Sequence, residues 1–169
     1  MKSLKLLGIA LTSIIACSTS FAQELLPEVK VVAVNYKYLK SVLDSNAAEP
    51  VKMLQRQAAA YDVKHSEYYE DDYETYFITF FIPQGKILAA YDSDGKLLHT
   101  AEKFKEMQLP APVKDAVKNK FPNWKISKNV YLVNYFPKNE SARKVYKLLL
   151  ENGDERMKVQ LNEKGEVIN

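Results

Sequence analysis

Apolar and polar residues alternate along much of the C-terminal half of the chain. Near its end, Met157, Val159 and Leu161 are separated by charged or polar residues. Successive side chains of a β-strand point to opposite faces, so this alternation predicts a sheet with one face on a core and the other in water. We expect a helix to cover the apolar face.

Two segments have the character of helices, and each opens on the same tripeptide. Pro-Val-Lys occurs at 50–52 and again at 112–114, and proline suits a first helical turn because its missing N–H has no partner to lose there. One helix is predicted at 49–61, where three consecutive alanines favour helix. The other is predicted at 110–121, where a Pro-Asn pair ends it.

Runs of β-branched and aromatic residues, bounded by turn residues, predict the strands. They lie at 63–69, 74–82, 86–91 and 96–100 in the first half of the chain and at 125–136, 144–151, 155–162 and 166–168 in the second. A further strand is predicted at 29–38, which is rich in valine and tyrosine. No secondary structure is assigned to residues 39–43. Residues 101–109 are predicted to link the two halves.

The two halves resemble each other at a fixed spacing. Residues of similar character recur 70 positions apart: Tyr76 and Tyr146, Ile78 and Leu148, Phe80 and Leu150, Ile87 and Met157, Ala89 and Val159, Tyr91 and Leu161, Gly95 and Gly165, Leu97 and Val167. This self-similarity predicts an α+β fold of two tandem repeats, each a helix followed by about four antiparallel strands. The repeats are predicted at 49–105 and 106–169, after an N-terminal strand segment at 23–48.

The first 22 residues have the order of a cleavable signal peptide. Two lysines precede an apolar run at 6–16, and small residues occupy Ser20 and Ala22, the positions that signal peptidase reads. An apolar run of about 11 residues is too short to span a bilayer, which needs about 20. We therefore predict a mature protein that starts near Gln23, has no membrane span and lies in the periplasm or outside the cell.

A second way of processing the N-terminus is left open at Cys17, the only cysteine. The sequence Ile-Ile-Ala-Cys at 14–17 loosely resembles a bacterial lipobox, in which the cysteine is lipidated and becomes the first residue. If cleavage follows Ala22 instead, the mature chain has no cysteine, and disulfides, thiol catalysis and cysteine metal sites are excluded together.

Charge and catalytic motifs exclude several classes of function. The net charge is +3, and removing the two leader lysines leaves 22 basic residues (24 − 2) against 21 acidic ones, so no nucleic-acid partner is expected. His65 and His99 do not lie at metal-ligand spacing, and the chain has neither a Gly-rich phosphate loop nor a G-x-S-x-G elbow. We predict that the protein is not an enzyme and has no catalytic residue, cofactor or metal.

One acidic stretch supports an alternative function. Residues 67–74 include five carboxylates, and carboxylate oxygens are ligands for Ca²⁺. Neighbouring strand residues point to opposite faces, and no glycine supplies a coordinating turn, so a solvated hairpin tip is favoured. Binding of a small ligand or Ca²⁺ by 67–74 is kept as the alternative.

Several motifs resemble the PepSY-like, β-lactamase-inhibitor-like (BLIP-like) family of secreted bacterial proteins. They are Leu-Pro-Ala-Pro-Val at 109–113, Phe-Pro-Asn-Trp at 121–124, the strand at 130–135, and Tyr-Lys-Leu-Leu-Leu at 146–150 running into Gly153 and Gly165. The resemblance implies tandem helix-plus-four-strand units, a periplasmic or surface location and binding of other proteins. It assigns no catalytic or binding residue and does not imply inhibition of a β-lactamase.

The predicted sheet of the first half is apolar on both faces. Its core face contains Tyr76, Ile78 and Phe80, and its second face contains Phe77, Phe81, Leu88, Ala90 and Leu98. An apolar second face needs a cover, from the N-terminal strand segment, the other half of the chain or a partner protein. Of these three covers, one from within the chain is favoured. If the face is functional, we predict that it binds another envelope or secreted protein. The oligomeric state is left open.

Overall fold

Six strands form one antiparallel sheet, and helices pack on one of its faces. The computed structural model describes residues 35–139 and 141–168. The elements are α1 (Tyr36–Val42), α2 (Glu49–Ala60), β1 (Thr75–Ile82), β2 (Gly85–Asp92), β3 (Leu97–Lys105), α3 (Ala111–Lys120), β4 (Lys125–Tyr135), β5 (Arg143–Asn152) and β6 (Glu155–Leu161). The predicted α+β class is confirmed. The predicted signal peptide and the start of the predicted strand at 29–38 lie outside the described residues.

The strands follow one another across the sheet in sequence order, from β1 to β6. The β1–β2 and β5–β6 hairpins share one register, because Tyr76 lies opposite Tyr91 and Tyr146 lies opposite Leu161. These are the residues that recur 70 positions apart. The hairpins therefore have matching geometry, while the division of the chain into two repeats stays a prediction.

The inner face of the sheet, which we define as the face that carries the helices, forms the core. Ile87, Tyr91, Phe104, Tyr131, Tyr146 and Leu161 lie on it and are almost completely buried. Helix α2 packs on β1 and β2, and α1 packs on α2 and β4. Helix α3 is held close to the chain end, because a Cβ on Gly165 would lie 2.5 Å from the Pro112 carbonyl oxygen. One apolar layer therefore joins the whole sheet to its helices.

The predicted strand at 63–69 is wrong. The segment forms turns instead, in which the Ser66 and Tyr69 N–H groups donate to the carbonyls of Val63 and Ser66 at 3.0 and 3.2 Å. Tyrosines gave this segment strand propensity, but the polar and charged run from Lys64 to Glu67 leaves it without an apolar face to bury. As a result β1 has no neighbour on its other side among the described residues and is an edge strand.

Three other predicted elements differ from the structure. The end of the predicted strand at 29–38 opens helix α1, because Tyr38 and Val42, four residues apart, are buried on one helical face. Most of the predicted link at 101–109 continues β3, which pairs with β4 from Thr100 to Lys105 and so joins the two halves in one sheet. The predicted last strand at 166–168 is reduced to a single bridge between Leu161 and Val167.

Candidate interaction face

The outer face, opposite the helices, exposes large apolar side chains on β1. Phe77 and Phe81 point away from the core and are 64% and 78% exposed, and Leu88 on β2 is 39% exposed. Alternation along β1 requires this placement, since Tyr76, Ile78 and Phe80 occupy the inner face. The exposed side of β1 and β2 is thus apolar.

An aromatic row runs across the same face, from β1 to the residue that follows β4. The rings of Phe77 and His99 meet edge to face with centroids 6.3 Å apart, and His99 stacks on Phe136 at 5.8 Å. Beneath them Ala90, which lies between Phe77 and His99 in register, is fully buried. We call Phe77, Phe81, Leu88, His99 and Phe136 the aromatic patch.

The predicted binding residues divide into two groups. Phe77, Phe81 and Leu88 are exposed on the aromatic patch, whereas Ala90 is covered by the aromatic row and Leu98 is half-buried beside a bulge between β2 and β3. Sequence reasoning missed Phe136, which lies just beyond β4, in the other half of the chain. The sequence shows no metal-ligand spacing for His99 and no role in binding was predicted for it, although the structure places it opposite Ala90 on the outer face.

The remainder of the outer face is basic. A groove of about 360 Å³ crosses β4, β5 and β6, with Lys128, Lys147 and Lys158 around Val130 and Leu149. Exposed basic residues at outward positions of the sheet are Lys86, Lys103, Lys105, Lys125, Lys128, Arg143, Lys147, Arg156 and Lys158. The acidic residues at outward positions are Asp92 and Glu151. Basic residues therefore outnumber acidic residues on the outer face, although the two are nearly balanced over the whole chain.

The acidic stretch 67–74 lies in the turns that lead into β1. Tyr68 and Tyr73 within it are 61% and 53% exposed. Across residues 35–139 and 141–168, the structure places no three His, Cys, Asp or Glu side chains where they would hold a metal ion. Binding of Ca²⁺ or a small ligand by 67–74 stays a prediction.

A buried carboxyl group lies on the inner face. Glu102 is 3% exposed and accepts hydrogen bonds from the Tyr38 hydroxyl at 2.9 Å, the Gln55 amide at 2.8 Å and the Thr100 hydroxyl at 3.0 Å. Burial raises the pKa of Glu102 from 4.5 to about 7, although these donors and the charge of Lys144 act in the opposite direction. The group is closed off from solvent, so we assign it to the core rather than to the interaction face.

The described part of the chain leaves the aromatic patch uncovered. Helix α1 packs with α2 and β4 on the inner side, so the described part of the N-terminal segment does not cover the outer face. Strand β4 extends the sheet beside β3 instead of stacking on it. Residues 35–139 and 141–168 therefore supply no cover for the aromatic patch.

A scan against protein-family models gives no match, and a search of curated proteins finds none that matches the chain. The solved structures that are similar to it include the following three. Two are DUF2874 family proteins. The one from Bacteroides uniformis is 13% identical, and the match covers 57% of this chain and 69% of that chain with a TM-score of 0.36. The one from Bacteroides ovatus is 14% identical, and the match covers 60% of this chain and 70% of that chain with a TM-score of 0.35. The third is a BLIP-like protein from Bacteroides fragilis, which is 16% identical; the match covers 85% of this chain and 86% of that chain with a TM-score of 0.34.

The resemblance to the PepSY-like, BLIP-like family seen in the sequence stays a prediction. Within the described residues, none of the helices has both the length and the apolar character needed to cross a bilayer.

Proposed function

We propose that the chain is a non-catalytic protein-binding module of the bacterial envelope or exterior, and that it binds its partner on the outer face of the sheet. The observation that carries this proposal is the exposure of Phe77 and Phe81, at 64% and 78%, on a regular strand. A soluble domain rarely leaves such side chains together in water, and aromatic anchors dominate binding energy at interfaces.

The basic part of the same face indicates the kind of partner. Lys103 and Lys86 lie opposite each other next to Phe81, and Lys147 and Lys158 line the groove on β5 and β6. A partner with an apolar centre and carboxylates around it would complement this face. Exposed charges of this kind accelerate association and are screened by salt, so we expect binding to weaken as ionic strength rises.

The test is capture of a partner from envelope extract by the immobilised protein and by variants of the aromatic patch. Burying a phenylalanine contributes about 2 kcal/mol, which is roughly 30-fold in affinity. Phe77→Ser and Phe81→Ser should each reduce capture to this extent. Both side chains point away from the core, so far-UV circular dichroism should show both variants folded.

Tyr36→Ser is the matched control, because Tyr36 is also 64% exposed but lies on helix α1, away from the outer face. It should capture as well as the unchanged protein does. Equal capture by the Phe77→Ser, Phe81→Ser and Tyr36→Ser variants would refute the assignment of the face. Failure of the unchanged protein to capture any partner, together with unfolding of the phenylalanine variants, would refute the function.

A further inference from the structure

We propose that two copies of the chain associate through the free edge of β1, with the two strands antiparallel and Thr79 of one copy opposite Thr79 of the other. Strand β1 is the first strand of the sheet, and no described strand pairs with its other side. An edge strand presents unpaired backbone N–H and C=O groups to any strand that reaches it.

The sequence of β1 lacks the usual protection of an edge. Its eight residues, Thr-Tyr-Phe-Ile-Thr-Phe-Phe-Ile, include no charge, proline or glycine. Natural edge strands are commonly short, bent or charged, because these features oppose pairing with another chain. Strand β1 is long and apolar on both faces, which favours pairing.

The apolar side chains are self-complementary about Thr79. Residues opposite each other in an antiparallel pair lie on the same face, so this register places Phe77 of each copy opposite Phe81 of the other. It also places Ile78 opposite Phe80 on the inner face. A depression of about 420 Å³ beside Phe77, walled by Tyr68 and Tyr73, leaves room for the incoming ring. Each of these phenylalanines would then pack against its cross-strand neighbour, while its outward side stays exposed on the outer face.

The charges at the two ends of β1 favour pairing with a second copy of the chain. Carboxylates at 70–74 lie just before the strand begins, and Lys86, Lys103 and Lys105 gather beside its end, around Phe81. Antiparallel pairing brings the acidic end of one copy to the basic end of the other, and does so twice because such an interface is two-fold symmetric. The strand thus fits its own copy in shape and in charge.

This inference extends beyond the proposed function. The outer faces of the two copies would form one continuous sheet surface, which stays open to a different partner. Association of the purified protein is measured without that partner, so the two proposals succeed or fail independently.

The test is sedimentation equilibrium of the chain from Gln23 at concentrations up to about 1 mM, which reveals dissociation constants in the micromolar range. We expect a dimer that dissociates on dilution and is weakened by salt. Thr79→Lys should weaken it at least tenfold, because it places two ammonium groups opposite each other. Thr79 is exposed, so the variant should remain folded.

Ala101→Lys is the matched control. Ala101 is exposed on the same face and in the same cross-strand row as Thr79, but it lies on β3, two strands from the edge. It should leave the dimer intact. A monomer at all concentrations would overturn the proposal, and so would a dimer that Ala101→Lys disrupts as strongly as Thr79→Lys, because that outcome indicates association through the face.

A cysteine pair tests the register directly. The chain from Gln23 has no cysteine, so Thr79→Cys introduces a single thiol at the symmetry axis, where opposite Cα atoms lie about 5 Å apart and a disulfide can form. Mild oxidation should yield a covalent dimer from Thr79→Cys and none from Ala101→Cys. Equal yields from the two variants would overturn the register.

Discussion

Replacing the buried carboxyl group Glu102 by glutamine should stabilise the protein at neutral and alkaline pH. The pKa of Glu102 is raised to about 7 by burial. A carboxyl group whose pKa is raised on folding binds more protons in the folded than in the unfolded state, so stability falls as pH rises. The loss begins above 4.5, the ordinary pKa of the group, and is complete above about 7.

The size of the effect follows from the difference between the two pKa values. About 2.5 pKa units, at about 1.4 kcal/mol each, correspond to about 3 kcal/mol lost between acidic and alkaline pH. Glutamine does not titrate and avoids this loss. Its amide also finds an acceptor, because Gln55 Oε1 is buried without a hydrogen-bond partner in the described structure and Gln55 can reverse its amide.

The assay is urea unfolding of the unchanged protein and of Glu102→Gln between pH 5 and pH 8, followed by fluorescence of Trp124, the only tryptophan. At pH 8 the variant should be more stable by about 3 kcal/mol, which moves the urea midpoint by roughly 1.5 M. At pH 5 the two proteins should nearly coincide. Parallel pH profiles, or a variant less stable at pH 8, would refute this account of Glu102.

Two further predictions concern stability and are checked by the same unfolding experiment. Gly165→Ala should cost clearly more than the 1–2 kcal/mol expected roughly for alanine at positive φ, because its Cβ would collide with Pro112. Gly153→Ala, at a φ of +59 in open space, should cost only that amount, and equal losses would contradict the close approach. Asn35→Ala should cost about 1–3 kcal/mol, because it leaves the buried Leu97 N–H, now bonded at 2.8 Å, without an acceptor; a loss below about 1 kcal/mol would contradict that role.

Local signals predicted part of the fold closely. The helices expected at 49–61 and 110–121 are observed as Glu49–Ala60 and Ala111–Lys120, because proline and the turn residues mark their ends. Strands β5 and β6 follow their alternation. Helix-ending and turn residues, together with a regular alternation of apolar and polar residues, allowed these elements to be predicted from the sequence.

The remaining elements depend on contacts that the local sequence does not show. The extension of β3 past residue 100 was missed because Glu102 interrupts its apolar face, and this carboxyl group is tolerated there only with donors from α1, α2 and β3. The false strand at 63–69 arose from tyrosines whose neighbours are charged. The aromatic patch was partly predicted from β1 and β2, whereas Phe136 reaches it through the pairing of β3 with β4.

The most direct test of the central claim, that the outer face binds a partner protein, is site-specific photocrosslinking in the bacterial envelope. A photoreactive phenylalanine analogue would replace Phe77 or Phe81 on the aromatic patch, or Tyr36 on helix α1 as the equally exposed control. We predict that positions 77 and 81 form an adduct with a protein other than a second copy of the chain, and that position 36 forms none. The absence of adducts from 77 and 81, or equal adducts from position 36, would contradict the claim.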